Sequence, residues 1–239
     1  MKRFLDILIS LLGLIFLFPM ILFFSLLVWF QDYSSPFYMA PRVGKNGKIF
    51  TMVKLRSMVI SDGKGAESTS KNDPRITRLG ELIRKYKLDE FTQLWNVLVG
   101  DMSLVGPRPN TNLGVSVYTD KEMQLLDVKP GITDFSSIVF SDEGEILAKS
   151  PDPDKDYDRL IRPWKSRLGL IYIENVTFFL DIKLIFYTLI AIFSKEKALN
   201  WLVNYLTFLN VDEEIIVIST RKRDLYEIPP PSSKAQALR

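Results

Sequence analysis

Residues 7–30 read ILISLLGLIFLFPMILFFSLLVWF and contain no charged side chain. A straight helix of this length would be about 36 Å long, more than the ~30 Å hydrocarbon core of a bilayer. The run is too long for a signal peptide and lacks a small residue at its end, so cleavage is not expected. An amphipathic surface helix is disfavoured because it needs a polar face. The segment therefore predicts a membrane-associated protein.

Two arrangements of this segment remain: a straight transmembrane span, or a re-entrant hairpin that leaves on the side it entered. Pro19 lies near the middle, where proline removes a backbone hydrogen bond and bends a helix. Basic residues flank both ends of the run. Lys2 and Arg3 precede it, and Arg42, Lys45, Lys48, Lys54 and Arg56 follow it, with Asp32 as the one acidic residue between the run and Arg56. Such flanks favour two cytoplasmic ends. We expect the hairpin, kinked at Pro19, although a kinked span also tolerates proline.

Composition narrows the chemistry that the chain can perform. The 239 residues are 47% hydrophobic and 25% charged, and they include neither cysteine nor histidine. Disulfides, thiolate chemistry, Ser-His-Asp triads and histidine-ligated metals are thereby excluded. The net charge of +3 favours anionic partners, but no nucleic-acid motif is present, so nucleic acid is not an expected partner. Any enzyme here works through carboxylates, Lys, Arg, hydroxyls and hard metal ions.

The expected fold class is α+β, a mostly helical membrane-associated domain with a small β-hairpin and the N-terminal re-entrant helix. Residues 37–59 predict the hairpin, with the turn at Lys45-Asn46-Gly47. Helices are expected after Pro74 and through Phe91 to Leu98, the second ended by Gly100. The remaining expectations are a polar loop at 61–73, strands at 135–140 and 215–218, an acidic loop at 151–158, apolar helices in the core or at an interface at 178–193 and 201–209, and a disordered tail at 229–239.

We divide the chain into a membrane hairpin (1–34), a catalytic domain (35–200) and a C-terminal extension (201–239). Within the second unit, chemistry concentrates at Asp89 and Glu90, predicted to begin a helix. Carboxylates there lie near orphan N–H groups that also attract phosphate. They can bind Mg²⁺ or attack phosphorus. The ordinary alternative is that Asp89 caps the helix and Glu90 occupies its first turn.

Basic residues surround this pair in the sequence. Arg84 precedes it and Arg108 follows in a Pro-Arg-Pro turn. Strand alternation places Lys54 and Arg56 on one face of the predicted hairpin. Phosphoryl transfer depends on such cations to position phosphate and neutralise its charge. Each cation alone is more often a solvated surface charge. The hairpin pair has two further explanations, protection of a strand edge or binding of lipid headgroups.

Several motifs resemble, in order, those of the bacterial sugar transferases, the monotopic phosphoglycosyl transferases that use polyprenyl phosphate. The resemblance covers about residues 1–195 and rests on RVG at 42–44, KLRSM at 54–58, DPRITRLG at 73–80, LDEFTQLWNVL at 88–98, GDMSLVGPRP at 100–109, KPGIT at 129–133 and LDIK at 180–183. Two stretches depart from the family pattern: Phe18 precedes Pro19, and residues 134–137 read DFSS.

The resemblance implies that Asp89 attacks the β-phosphorus of a UDP-sugar, releases UMP and holds the sugar phosphate as an ester. Undecaprenyl phosphate, or another polyprenyl phosphate, would then accept it. Mg²⁺ would bind at Asp89 and Glu90, with Glu90 helping to position metal or acceptor. The residues expected to bind substrate or phosphate are Lys54, Arg56, Arg75, Arg78, Arg84, Arg108 and Thr133.

The same resemblance implies a site on the cytoplasmic face of the bacterial inner membrane, in contact with lipid, and allows a homodimer. Two other functions are weighed against it. A catalytically silent scaffold for glycan-assembly enzymes conflicts with the intact carboxylate pair. A metal-dependent phosphatase would suit an aspartate nucleophile but lacks a second carboxylate cluster. No residue identifies the sugar or the glycan pathway.

Overall fold

The apolar run forms one helix, α1 (Lys2–Asp32), with Pro19 inside it. The computed structural model describes residues 1–60 and 69–232. Among these, α1 is the one helix long and apolar enough to cross a membrane.

Both ends of α1 are held by the rest of the chain. Lys2 Nζ lies 2.7 Å from the carboxylate of Asp181. At the other end, the Arg56 guanidinium donates to both oxygens of Asp32, at 2.5 and 2.6 Å. The first and last turns of α1 are therefore both attached to the remainder of the folded chain.

Between its two ends, α1 also contacts the rest of the chain along one face. Asp6 is buried and accepts hydrogen bonds from Ser103 Oγ at 3.1 Å and the Leu104 N–H at 3.0 Å. Gly13 lies against Leu94, and a Cβ added there would be 3.0 Å from it. Farther along, Val28 with Met20 and Phe24 packs into a cluster with Leu55, Ile83 and Leu88. The other face is apolar and exposed, and includes Phe4, Leu12, Ile15, Phe16, Phe18, Phe23 and Phe30.

A β-hairpin follows α1. Strands β1 (Phe37–Val43) and β2 (Ile49–Leu55) pair antiparallel, with Phe37 opposite Leu55. Their connection places Asn46 and Gly47 at φ of 56° and 75°, left-handed values that asparagine and glycine adopt most readily. The predicted hairpin and its turn are confirmed, with strands longer than the β-prone segments alone indicated.

Short helices and a second, parallel strand pair make up most of the remaining chain. In order, the elements are α2 (Arg78–Lys85), α3 (Gln93–Val99), β3 (Ser103–Val105), α4 (Asn112–Ser116), β4 (Gly131–Thr133), α5 (Phe135–Val139), α6 (Glu143–Ile146), α7 (Pro153–Asp156), α8 (Arg162–Glu174), α9 (Phe178–Phe193), α10 (Lys195–Phe208) and α11 (Glu213–Ser219). The mostly helical α+β architecture is thus confirmed. The helices expected after Pro74 and up to Gly100 are α2 and α3, and Gly100 ends α3 with φ of 98°.

Strands β3 and β4 meet closely enough to exclude a side chain. They pair parallel, and a Cβ on Gly131 would lie 2.1 Å from the Gly106 nitrogen. The Gly131 N–H donates to the Pro107 carbonyl at 3.0 Å. These contacts fix the backbone just before Arg108.

Three predicted elements are wrong. Residues 135–140 and 215–218 were expected as strands but fall in α5 and α11, where Asp134 and Asp212 accept from the Ser137 and Glu214 N–H groups. The expected loop at 151–158 instead contains α7, capped by Asp152, and the start of a π-helical turn at Tyr157–Ile161. In each case an aspartate directly before the helix supplies an N-cap, which stabilises the helix despite β-prone or acidic composition.

The C-terminal extension completes the main core. The predicted boundary at residue 200 falls inside α10, and buried residues from α10 and α11 share one cluster with Phe135, Trp164 and Leu184. The first residues of the predicted disordered tail, 229–232, are attached to the folded chain. The carbonyls of Pro229 and Pro231 accept hydrogen bonds from Arg167 and Thr119. The rest of the predicted tail, 233–239, and most of the predicted polar loop, 61–68, lie outside the described residues.

Candidate active site

The acidic pair lies in its own short turn. Leu88–Glu90 forms a 3-10 turn between α2 and α3, entered through Lys87 at φ of 53°. Neither this turn nor α3 has a side-chain cap hydrogen bond. The pair therefore does not begin the α-helix as expected, and the alternative in which Asp89 caps it is not what the structure contains.

Each carboxylate of the pair faces a different cation. Lys54 Nζ is 3.6 Å from Asp89 Oδ2, and Arg108 Nη2 is 3.1 Å from Glu90 Oε1. The Asp89 and Glu90 side chains are 15% and 17% exposed. Both carboxylates are therefore largely removed from water but remain partly accessible.

Strand β2 is fixed beside the acidic turn by α3. Asn96 Oδ1 accepts from the Val53 N–H at 2.9 Å, and its amide donates to the Thr51 carbonyl at 2.7 Å. Thr92 Oγ1 lies 3.0 Å from the Val53 carbonyl. These side chains use backbone groups on one edge of β2, and so place Lys54 next to Asp89.

The environment makes the two carboxylates unequal. Burial raises the pKa of Asp89, and the negative charge of Glu90 adds to this, so that Lys54 and Arg108 only partly compensate. Burial would also raise the pKa of Glu90, but Arg108, Lys87 and Lys54 outweigh it and lower that pKa to about 2. Glu90 is therefore held as an anion by its ion pair, whereas Asp89 is a less stabilised and more basic carboxylate.

The cations are perturbed in opposite directions. Burial and the charge of Arg108 lower the pKa of Lys54. The charge of Glu90 raises the pKa of Arg108 despite burial. Lys54 is therefore the cation that gives up a proton more readily, and Arg108 is a permanent positive charge, the type of group that binds phosphate oxygens.

A second buried ion pair adjoins this cluster and was not predicted. Lys165 of α8 pairs with Glu143 of α6 and lies 5.3 Å from the centre of the Tyr157 ring. Glu143 also contributes to the raised pKa of Arg108. No motif marks either residue, because one acid and one lysine 22 positions apart carry no spacing signal.

Several predicted site residues are engaged elsewhere. Arg56, 8% exposed, binds Asp32, and Arg75 pairs with Asp73 at 2.7 Å. Thr133 is buried, with its hydroxyl 2.6 Å from that of Thr188. Arg84 is half-buried and acts on Asp89 only as a nearby charge, while Arg78 is exposed. Of the seven predicted binding residues, Lys54 and Arg108 are the ones in contact with the acidic pair.

A magnesium ion at this site would have Asp89 and Glu90 as its carboxylate ligands. No group of three acidic side chains able to hold a metal occurs in residues 1–60 and 69–232. Mg²⁺ is commonly held by one or two carboxylates together with substrate phosphates. Asp89 and Glu90 fit this pattern if a phosphate-bearing substrate completes the coordination.

The sequence places this arrangement in a known class. Residues 1–195 match the family model described as bacterial sugar transferase, and the chain belongs to that family.

This chain covers at most about two thirds of the length of the relatives named here. A Bacillus subtilis protein, named as a candidate undecaprenyl-phosphate N-acetylgalactosaminyl 1-phosphate transferase, is 47% identical over 121 residues, covering 50% of this chain and 65% of the relative. An undecaprenyl-phosphate glucose phosphotransferase of Komagataeibacter xylinus is 37% identical, covering 79% of this chain and 35% of the relative. A UDP-glucose:undecaprenyl-phosphate glucose-1-phosphate transferase of Xanthomonas campestris pv. campestris is 32% identical, covering 81% and 39%.

Proposed function

We propose that this chain transfers a sugar 1-phosphate from a UDP-sugar to undecaprenyl phosphate, through a covalent intermediate on Asp89. The single observation that carries the proposal is the acidic pair in which each carboxylate faces its own cation, Asp89 with Lys54 and Glu90 with Arg108. Family membership and the names of the relatives support the same donor and acceptor.

The first step forms a bond between an Asp89 carboxylate oxygen and the β-phosphorus of the UDP-sugar. The bond from that phosphorus to the bridging oxygen breaks, and UMP leaves with the electron pair. Arg108 and Lys54 would offset charge on the phosphoryl oxygens, the largest contribution that protein groups make to phosphoryl transfer. The raised pKa of Asp89 suits this role, because a more basic carboxylate is a better nucleophile.

In the second step, a phosphate oxygen of undecaprenyl phosphate attacks the same phosphorus. The Asp89 carboxylate leaves, and the product is a polyprenyl-diphosphate sugar. Mg²⁺, when bound at Asp89 and Glu90, would neutralise charge on the donor diphosphate. Glu90 stays ionised beside Arg108 throughout.

The acceptor is a lipid, so the site must adjoin a membrane. The exposed apolar face of α1 supports this, as does α9, where Phe179 and Phe193 are 75% and 88% exposed. We place the site on the cytoplasmic face of the inner membrane, with α1 entering and leaving on that side. The basic flanks of α1 agree with this orientation.

The test is UMP release by Asp89→Asn. Loss of a covalent nucleophile is expected to reduce the rate at least about a thousandfold, and the wild type, given UDP-sugar without acceptor, should gain the mass of a sugar phosphate. A panel of UDP-sugars would identify the donor.

Asp120→Asn is the matched control, since Asp120 is an exposed carboxylate outside the acidic turn. It should retain wild-type release. Normal UMP release by Asp89→Asn would disprove the nucleophile, and a protein inactive with every UDP-sugar would favour the scaffold.

A further inference from the structure

A cavity of about 330 Å³ is lined by residues from the C-terminal half of the chain, and its lining includes neither Asp89 nor Glu90. Its lining comes from α6, the π-helical turn and the segment after α11, namely Ile146, Leu160, Arg221, Lys222, Arg223, Asp224 and Leu225. Most of this lining lies beyond residue 195, the end of the family match. The volume is at the lower end of the range for small-molecule sites, about 300–1,000 Å³.

Arg221 occupies the wall of this cavity with few acceptors. Its Nη2 is 3.5 Å from Asp142 Oδ2, an oxygen that Lys195 Nζ approaches more closely, at 2.7 Å. Its Nε is buried and, within the described residues, has no hydrogen-bond partner. The guanidinium also lies 5.6 Å from the centre of the Phe140 ring. A largely buried guanidinium with an unused donor is a costly arrangement unless an anion satisfies it.

The neighbouring charges point to the same kind of ligand. Lys222 and Arg223 are exposed next to Arg221, and Asp224 is the acidic residue of the lining. The lining thus carries three cations and one carboxylate, and the Asp142 carboxylate lies beside Arg221 as a second acidic group. The other residues of the lining, Ile146, Leu160 and Leu225, are apolar and form an apolar part of the cavity wall.

We propose that this cavity binds a phosphate group, with Arg221, Lys222 and Arg223 contacting its oxygens. Phosphate presents three strong acceptor oxygens, and arginine matches them with two parallel donors. The apolar wall suits a phosphate carried by an amphiphile. A free phosphate ester and a lipid headgroup share this chemistry. The site is separate from the proposed transferase centre and does not depend on it.

The experiment measures how inorganic phosphate raises the melting temperature of the full chain in non-ionic detergent. The variant Lys222→Gln/Arg223→Gln removes two exposed cations at the cavity. The control Lys45→Gln/Lys48→Gln removes two exposed cations on the hairpin turn. We expect half-maximal stabilisation of the cavity variant to need at least about tenfold more phosphate than the wild type, with the control unchanged. Arg221→Gln should show the same loss, and the double variant decides if Arg221→Gln does not fold.

A second arm replaces inorganic phosphate by phosphatidic acid in the micelles, with phosphatidylcholine for comparison. Stabilisation that depends on Lys222 and Arg223 in either arm supports the site, and the arm that responds more strongly identifies a free phosphate or a lipid headgroup. An equal response of wild type, cavity variant and control in both arms, or no response at all, would overturn the proposal. In neither case would the activity predicted for Asp89 change.

Discussion

At the scale of single residues, the fold disfavours the ionised form of Asp89. Its raised pKa means that the folded chain binds a proton there more tightly than the unfolded chain does. Ionised Asp89 therefore lowers stability at neutral pH, and this cost disappears as the pH falls below the ordinary pKa of aspartate. Nucleophiles often carry such a cost, because a reactive group is a poorly stabilised one.

We therefore expect Asp89→Asn to melt at a higher temperature than the wild type at pH 7, while losing activity. The difference should shrink as the pH is lowered through the raised pKa of Asp89, since both side chains are then neutral. Thermal unfolding between pH 4 and pH 7 measures it. A variant that is less stable than the wild type at pH 7 would contradict the assigned environment.

The Glu143–Lys165 pair gives a second prediction for single residues. The two side chains are 29% and 14% exposed, so Glu143→Gln would leave a mostly buried ammonium without its carboxylate. We expect a loss of about 2 kcal/mol in unfolding free energy, measured by denaturant titration. Adding Lys165→Met should recover part of it, because the unpaired charge is then removed. Lys165→Met is also measured alone. If the losses in unfolding free energy of the two single variants simply add up in the double variant, the two side chains do not interact.

Single site residues could be predicted from the sequence where a motif marks them, and could not where two unmarked residues lie far apart along the chain. Asp89, Glu90, Lys54 and Arg108 were predicted and lie together. The pair Glu143–Lys165 could not be predicted, because the two residues lie on different helices and meet only in the folded chain. Arg56 was assigned to the face of Lys54 by strand alternation. It lies just beyond Leu55, the last residue of β2, where alternation no longer applies.

At the scale of elements, capping explains most differences between prediction and structure. β-Prone residues and a turn predicted the hairpin, amphipathic periodicity predicted α2 and α3, and a continuous apolar run predicted α9. Composition of this kind failed at two helices, α5 and α11, whose apolar residues are β-prone but follow Asp134 and Asp212. One side-chain hydrogen bond at a helix start is worth about 1 kcal/mol, enough to decide between conformations in a segment of five to seven residues.

The ion pair between Asp32 and Arg56 predicts how the end of α1 behaves. It joins the last residue of α1 to the end of β2, and Arg56 also donates to the Ser35 carbonyl at 2.8 Å. Asp32→Asn should loosen the connection between helix and hairpin. We expect chymotrypsin to cleave several-fold faster after Tyr33, which is 70% exposed. Asp120→Asn, at another exposed aspartate, should leave the cleavage rate unchanged.

At the scale of the whole molecule, α1 is the proposed membrane segment and also packs against the rest of the folded chain. Its contacts begin at Lys2 and end at Asp32, so we expect the N-terminus and the hairpin on one side of the membrane. The chain has no cysteine, which allows labelling at single introduced sites. A cysteine inserted after Met1 and Tyr38→Cys should both react with an impermeant maleimide in inside-out vesicles, and neither in intact spheroplasts.

Lys222→Cys serves as the reference for the side on which the folded body lies, and labelling in detergent establishes that each cysteine is reactive. Reaction of the N-terminal cysteine from the periplasmic side would show a straight span. The proposed hairpin would then be wrong, although the chemistry at Asp89 would be unaffected.

The attachment of α1 along its length also limits how this protein can be simplified in the laboratory. Trimming residues 1–32 would deprive the Ser103 hydroxyl and the Leu104 amide of the Asp6 carboxylate, and would uncover the Leu55, Ile83 and Leu88 cluster. Such a truncated fragment should aggregate when expressed. A water-soluble form is better sought by replacing the outward-facing phenylalanines and leucines of the intact helix with polar residues, leaving its inner side as it is.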